Sequence, residues 1–154
     1  MIAADPLPHR RAAARRWRAD VVLDPESADY ADQLDAATGG VGVDVAFEVA
    51  GNDAAITAAV DVVRPGGRVV LAGIPNNDRS TFPAGTARRK GLSLALVRRM
   101  NDAYPRAISL VVSGAVDVAS LVTHRFPLVE ADSAFRLAVA REGLKVIVEP
   151  NAES

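Results

Sequence analysis

The chain has 154 residues, 49% of them apolar, which is enough to bury a sizeable core and argues against wholesale disorder. A formal net charge of −1 gives no general attraction to nucleic acid or to an anionic membrane. Cysteine is absent, which excludes disulfides and thiolate zinc sites within the chain. With neither a signal-peptide pattern nor an apolar run near the roughly 20 residues that cross a bilayer, the sequence predicts a soluble, cytoplasmic protein.

The first part of the chain alternates short apolar segments with helical patterns. Pro8 suits the first turn of a helix, and the stripe of Tyr30, Leu34 and Ala37 predicts a second helix that Gly39-Gly40 closes. We therefore predict strands at residues 1–4 and 21–23 and helices at residues 8–18 and 30–38. Alternation of this kind favours an α/β fold.

The central segment, residues 43–75, has the pattern of a strand, a helix and a second strand. Residues 43–49 are nearly all apolar, as expected for a parallel strand covered by helices on both faces. Asn52 can cap the next helix, whose apolar stripe consists of Ile56, Ala59, Val60 and Val63. Residues 64–67 break that helix, and residues 68–72 form the second strand.

Ligands of open parallel sheets bind beyond the carboxyl ends of the strands. That rule points to Val49-Ala50-Gly51 after the first strand of this unit and to Gly73-Ile74-Pro75 after the second.

The rest of the chain continues with weaker signals. Asn101 can cap a helix, and Pro105 is tolerated in its first turn. The predicted ranges are a polar loop at 76–90, strands at 92–97, 122–126 and 144–148, helices at 102–112 and 131–143, and a disordered tail at 151–154.

Few side chains are obvious candidates for chemistry. Asp5 follows an apolar strand, where a carboxylate can accept both hydroxyls of an adenosine ribose; an ordinary helix-capping aspartate is the alternative. His9 and His124 belong to no cluster with metal-ligand spacing, and a structural role suits His124 better than catalysis. Gly39-Gly40-Val41-Gly42 follows a helix and is a helix-ending turn, not a phosphate loop.

One helix is rich in arginine. Arg10, Arg11, Arg15, Arg16 and Arg18 surround Trp17, a combination that suits nucleic-acid contacts. Because the whole chain is not basic and alanines give this helix a packing face, a solvated surface is the preferred interpretation. We expect no nucleic-acid partner and no membrane partner.

Several segments, in this order and spacing, resemble the medium-chain, zinc-type alcohol and polyol dehydrogenases, above all the sorbitol or iditol branch, with threonine dehydrogenase nearby. They are IAADPLPHR, ADVVLDP, GVDVAFEVAGN, VRPGGRVVLAGIP, YPRAISLVVSGAVDVASLVTHRFPL and GLKVIVEP. The resemblance covers residues 2–150. It implies a partial Rossmann domain, a doubly wound parallel sheet, at residues 1–99, and a segment returning to a GroES-like catalytic domain at residues 100–150.

The resemblance also implies a set of site residues. Asp5 resembles the ribose-binding aspartate, which favours NAD over NADP, and Arg10 resembles the basic residue beside the adenosine. In the polyol branch an arginine at Arg98 or Arg99 holds substrate, and Arg99 is the candidate; Lys145 is a weaker match to a residue near the pyrophosphate. The implied cofactor-binding residues are Asp5, Arg10, Val49, Ala50, Ala72, Gly73, Ile74, Leu96, Val97 and Arg98.

Members of this family begin with a catalytic domain that carries zinc, followed by the first Rossmann strand and its glycine-rich loop, and nothing in this sequence resembles those parts. We therefore expect no catalytic residue and no zinc ligand in this chain, although the family uses zinc and NAD. The first strand is central in a sheet of order 3-2-1-4-5-6, so its absence leaves the strands on either side separated, with unpaired backbone edges between them. Either those strands close up, or their edges pair with another chain. The expected function is the cofactor-binding portion of an NAD-dependent polyol or alcohol dehydrogenase, inactive alone and self-associating or homo-oligomeric. The alternative is a non-catalytic remnant or a split-enzyme subunit that acts through a partner chain.

Overall fold

A computed structural model describes residues 1–98 and 102–151. The chain divides into two compact units, Met1–Arg99 and Met100–Ser154. The strands are β1 (Ile2–Ala4), β2 (Val21–Leu23), β3 (Val43–Glu48), β4 (Val63–Leu71), β5 (Ser93–Leu96), β6 (Val122–Pro127) and β7 (Lys145–Glu149). The α-helices are α1 (Pro8–Arg16), α2 (Tyr30–Thr38), α3 (Asp53–Val62), α4 (Ala84–Lys90), α5 (Tyr104–Val112) and α6 (Ala131–Ala140).

The first unit contains two separate parallel sheets. One pairs β1 with β2, from Ile2 opposite Val21 to Ala4 opposite Leu23. The other has the order β3-β4-β5 and is also parallel throughout. The predicted α/β class is confirmed. Within the described ranges β1 and β3 do not pair, so each leaves one backbone edge without a strand. Of the two arrangements expected from the sequence, separate edges are observed and closing up of the strands is not.

The core of this unit lies on one face of the three-stranded sheet. Ala59 and Val60 of α3 and Ala87 of α4 pack against Val63 and Val69 of β4. Asn52 caps α3 as predicted, because its side-chain Oδ1 accepts a hydrogen bond of 2.9 Å from the amide of Ala55. This packing fixes the direction of β3 and β4 and so the position of their carboxyl ends.

The opposite face of β3 is open, and here the prediction that helices cover both faces is wrong. Val45 is 43% exposed and Phe47 is 70% exposed, although both belong to the apolar run. Their register partners on β4 are Arg68 and Val70, which lie on the same open face. An apolar run predicts that both faces of a strand are buried, but it does not show which element covers each face.

Three boundaries also differ from expectation. Ala84–Lys90 is helical where a polar loop was predicted. The prediction missed this helix because it has no apolar stripe; the helix ends at Gly91, which has a left-handed conformation (φ 62°). Val63 opens β4 and does not continue the helix before it, and residues 64–67, predicted to separate the helix from the strand, belong to β4. Arg141, with φ 59°, ends α6 two residues before the predicted Gly143.

The second unit is smaller. Its strands β6 and β7 are parallel, and α6 packs on both through the buried Ala134. Pro105 lies in the first turn of α5, as predicted, whereas the proposed cap Asn101 lies outside the described residues. No helix in the described ranges is long and apolar enough to cross a membrane.

Candidate functional site

The carboxyl ends of β3, β4 and β5 meet at one edge of the sheet. Glu48, Leu71 and Leu96 lie side by side in register, so the residues after them are neighbours. The backbone oxygen of Glu48 accepts hydrogen bonds from the amides of Ala72 (2.8 Å) and Gly73 (3.0 Å). The structure therefore brings together most of the predicted cofactor-binding residues, namely Val49, Ala50, Ala72, Gly73, Ile74, Leu96, Val97 and Arg98.

The side chains at this edge are apolar and open to solvent. Val49 is 74% exposed, Ile74 70% and Leu96 83%; Leu96 ends β5, whereas Val49 and Ile74 lie in the turns that follow β3 and β4. Exposed apolar side chains that cluster on a surface mark a site where a ligand or another chain binds. Backbone groups beside such side chains can orient a planar ligand with polar substituents.

Glu48 is a functional candidate that the sequence reasoning missed. It is 3% exposed, and its Oε1 accepts hydrogen bonds of 2.7 Å from the amides of both Ala50 and Gly51. A signal was present in the sequence, since Glu48 is a charged residue inside the apolar segment 45–50. The carboxylate thus stabilises the turn after β3 through hydrogen bonds to two of its amides.

Two glycines bring the turns after β3 and β4 into direct contact. Gly51 has φ +73°, and a Cβ added there would lie 2.4 Å from the backbone oxygen of Ile74. A Cβ on Gly73 would lie 2.2 Å from the nitrogen of Gly51 and 2.5 Å from Oε2 of Glu48. Side chains at either position would force the turns apart, so this part of the edge is closely packed.

Asp5 and Arg10 lie at the carboxyl end of the other sheet. Asp5 Oδ1 accepts a hydrogen bond of 2.9 Å from the amide of Leu7, and Oδ2 lies 3.8 Å from Nη1 of Arg10. Both side chains are partly exposed, which leaves the carboxylate accessible to a ligand with hydroxyl groups. The structure thus brings Asp5 and Arg10 together at the end of a parallel strand, and their roles in cofactor binding stay a prediction.

Arg11, which the sequence analysis named only as part of the arginine-rich helix, holds this segment in place. Its guanidinium forms an ion pair of 2.9 Å with Asp24 and donates to the backbone oxygens of Asp5 (2.8 Å) and Pro6 (2.7 Å). It therefore ties the carboxyl end of β1 to the residue that follows β2. The sequence feature that could have pointed to Arg11 is the arginine-rich helix, but the sequence does not show which partner each arginine contacts.

The loop after β4 is tied to the start of α3. Asp53 accepts a hydrogen bond of 2.9 Å from the amide of Thr81 and another from the Thr81 hydroxyl. Hydrogen bonds from the Thr81 hydroxyl and then from its amide lower the pKa of Asp53, since they favour the charged carboxylate. This contact restricts the conformation of the loop that follows Ile74.

The remaining candidates are carried by other parts of the chain. His9 is exposed on α1, and His124 contacts Thr123 Oγ1 (3.0 Å) in the second unit, which also carries the exposed Lys145. Arg99, the substrate-binding candidate, lies outside the described residues. No group of three or more histidine, aspartate or glutamate side chains in residues 1–98 and 102–151 could hold a metal ion.

Open parallel sheets with helices on their faces, and with a ligand-accessible carboxyl edge, define the class of nucleotide-binding α/β domains. The zinc-binding dehydrogenase family matches residues 1–113. The chain belongs to the zinc-binding dehydrogenase family.

Individual relatives agree with this assignment. The chain is 35% identical to an alcohol dehydrogenase of Cupriavidus necator over 98% of its length and 43% of the relative's. It is 31% identical to a sorbitol dehydrogenase of Bacillus subtilis (strain 168), again over 98% of this chain and 43% of the relative. The solved structure of an alcohol dehydrogenase from Thermus sp. ATN1 superposes with a TM-score of 0.83 at 28% identity, covering 96% of this chain and 43% of that one. The chain thus spans less than half the length of these relatives.

Proposed function

We propose that this chain supplies the cofactor-binding wall of an NAD-dependent dehydrogenase that oxidises a secondary alcohol or polyol. The observation that carries the proposal is the edge formed beyond Glu48, Leu71 and Leu96, where three strand ends present exposed apolar side chains and backbone groups. Bound NAD would accept a hydride from the alcohol. The role of the chain's own residues would be to bind and orient the nicotinamide end.

Asp5 would hold the adenosine end. A carboxylate in this position accepts hydrogen bonds from the 2′- and 3′-hydroxyls of a ribose and repels a 2′-phosphate, so it favours NAD over NADP. The Arg10 guanidinium, 3.8 Å from the Asp5 carboxylate, would contact the adenosine. Arg98, exposed after β5, is a candidate for the substrate contact, with Arg99 as the other.

Zinc does not fit the described residues, which contain no cluster of ligands for it. We therefore assign no proton transfer and no polarisation of the alcohol to this chain. In the complete enzyme, these steps and the binding of the pyrophosphate would fall to polypeptide that this chain does not include. On this proposal the first unit is a partial NAD-binding domain, residues 100–150 return to the catalytic domain, and the chain by itself has no turnover.

A titration of the purified chain with NADH, followed by nicotinamide fluorescence, tests the proposal. We expect enhanced fluorescence with NADH and weaker binding of NADPH. Asp5→Ala should weaken NADH binding about tenfold and reduce the preference over NADPH, because a charge-assisted contact of ~1.4 kcal/mol is lost. Asp32→Ala, on the exposed surface of α2, is the matched control. Equal binding by the Asp5 and Asp32 variants, or turnover of sorbitol by the chain alone, would contradict the proposal.

A second candidate function rests on the unpaired edges of β1 and β3 and on the open face around Phe47. These features suit a non-catalytic remnant or a split-enzyme subunit that works through a partner chain. The coding sequence upstream of residue 1 separates the alternatives. A glycine-rich loop and metal ligands in the same frame indicate one ordinary enzyme, the same elements in an adjacent gene indicate a split enzyme, and neither indicates a remnant.

A further inference from the structure

Glu48 is the one charged side chain that is buried in the described part of the chain. Moving a carboxylate out of water is costly unless hydrogen bonds replace its hydration. Here two amides, those of Ala50 and Gly51, each donate to Oε1 at 2.7 Å. An apolar side chain would suit the end of a parallel strand better, so the carboxylate must serve a purpose other than packing.

The side chain and the backbone of Glu48 contact different turns. Its side chain accepts from the turn after β3, whereas its backbone oxygen accepts from Ala72 and Gly73 in the turn after β4. Its second carboxylate oxygen lies against Gly73, since a Cβ there would approach it to 2.5 Å. One residue thus connects the two turns that carry the exposed side chains of the edge.

We propose that Glu48 is a positioning residue for the cofactor: it holds the turns after β3 and β4 at the separation that the nicotinamide end requires. This inference rests on the proposed function of the edge, and it adds a specific residue to that function. Charge-assisted hydrogen bonds are shorter and stronger than neutral ones, so a buried carboxylate fixes the amides of Ala50 and Gly51 more firmly than solvent would. A fixed edge binds a ligand without first losing conformational entropy.

A merely structural role makes a different prediction. If Glu48 only stabilised the fold, its loss would lower the free energy of unfolding. The folded variant would then show the same local opening of the turns and the same cofactor affinity as the wild type. If it positions the turns, the folded variant opens locally at Ala50 and Gly51 and binds NADH more weakly. Residue-resolved amide hydrogen exchange and NADH fluorescence titration separate these two effects.

The experiment compares the full chain with Glu48→Leu and Glu48→Gln. Glu48→Leu keeps the bulk but removes both acceptor oxygens, and we expect amide exchange at Ala50 and Gly51 to accelerate at least tenfold and NADH affinity to fall about tenfold, equal to ~1.4 kcal/mol. Glu48→Gln keeps one oxygen in the position of Oε1 and should stay within about threefold of the wild type in both measurements. Asp44→Leu, on the same strand but 80% exposed in its side chain, is the control and should change neither.

Several outcomes would overturn the inference. They are rapid exchange of the Ala50 and Gly51 amides in the wild type, unchanged exchange or NADH affinity in Glu48→Leu, and an equal effect of Asp44→Leu. If Glu48→Leu does not fold, the inference is tested on the wild type and Glu48→Gln. In both proteins the amides of Ala50 and Gly51 should exchange slowly. Wild-type amides that are protected in a chain that does not bind NADH would instead contradict the proposed function, and the cofactor role of Glu48 with it.

Discussion

Gly73 is the residue at which the two turns of the candidate edge approach most closely. An added Cβ would lie 2.2 Å from the nitrogen and 2.6 Å from the Cα of Gly51, which are backbone atoms that cannot move independently. We expect Gly73→Ala to lower the free energy of unfolding by about 1–3 kcal/mol, as overpacking does elsewhere. Urea denaturation monitored by circular dichroism would measure this.

Gly85 provides a control of opposite sign for Gly73→Ala. It lies in the first turn of α4, where the nearest atom to an added Cβ is the end of the Arg89 side chain at 3.4 Å. Gly85→Ala should stabilise the chain by about 0.4–1 kcal/mol, because alanine restricts the unfolded state and favours the helix. Equal stability of Gly73→Ala and the wild type would show that the turns are not in contact.

The contact between Asp53 and Thr81 should depend on pH. Hydrogen bonds from Thr81 lower the pKa of Asp53 below its ordinary value of 3.8, so folding favours the charged form. The contribution of this contact to stability is therefore complete well above pH 3.8 and is lost as the pH falls through the lowered pKa. A carboxyl titration by NMR should give a midpoint below 3.8 for Asp53 and a parallel change in the Thr81 amide shift.

Thr81→Val tests the cause of that shift. It removes the hydroxyl donor, which is the largest contribution to the lowered pKa of Asp53, and keeps the amide donor. The midpoint of Asp53 should then rise toward 3.8. A midpoint at or above 3.8 in the wild type, or no change in Thr81→Val, would contradict the assignment.

At the scale of elements, Lys90 at the end of α4 joins α4 to α3. Its Nζ donates hydrogen bonds to the backbone oxygens of Val60 (3.2 Å), Asp61 (2.6 Å) and Val63 (2.9 Å). These oxygens belong to the last turn of α3 and the start of β4, where a positive charge also meets the negative end of the helix dipole. Lys90 therefore closes a helix end that has no capping glycine.

Lys90→Met should destabilise the first unit. Methionine keeps much of the apolar stem but removes the ammonium donors, and a hydrogen bond to a charged group contributes about 1.5–3 kcal/mol. Arg88→Met, an exposed position on the same helix, should change stability by less than about 0.5 kcal/mol. Urea denaturation of both variants measures the difference. If the two substitutions cost the same, the contacts of Lys90 do not stabilise α3.

Sequence patterns predict those elements whose cause is local. α3 was predictable because a cap, an apolar stripe and a break follow one another between residues 52 and 67, and β3 because its run is nearly all apolar. α4 was not, since it has little apolar periodicity and depends on a cap at Gly91 and on the burial of Ala87. The carboxyl edge was predictable from the parallel strand order, whereas the role of Glu48 depends on how two turns approach each other in space.

At the scale of the whole chain, the two sheets of the first unit leave β1 and β3 with one unpaired edge each, within the described ranges. A free edge with apolar side chains beside it is a template for pairing with another strand. Phe47 and Val45 lie on β3 and are exposed on its open face. Self-association through β3 is therefore the expected behaviour of the isolated chain.

Phe47→Lys should shift this equilibrium toward the monomer. Because Phe47 is 70% exposed, the substitution removes little buried area and places a charge beside the free edge, where it opposes strand pairing. We expect the dissociation constant from sedimentation equilibrium to rise about tenfold or more, equal to ~1.4 kcal/mol. Phe135→Lys, at an equally exposed (70%) phenylalanine on α6, is the matched control and should change it less. A wild-type chain that is monomeric at every concentration and melts in one sharp transition would contradict association through β3. Equal effects of the two substitutions would show that exposed aromatic area, and not the strand edge, drives it.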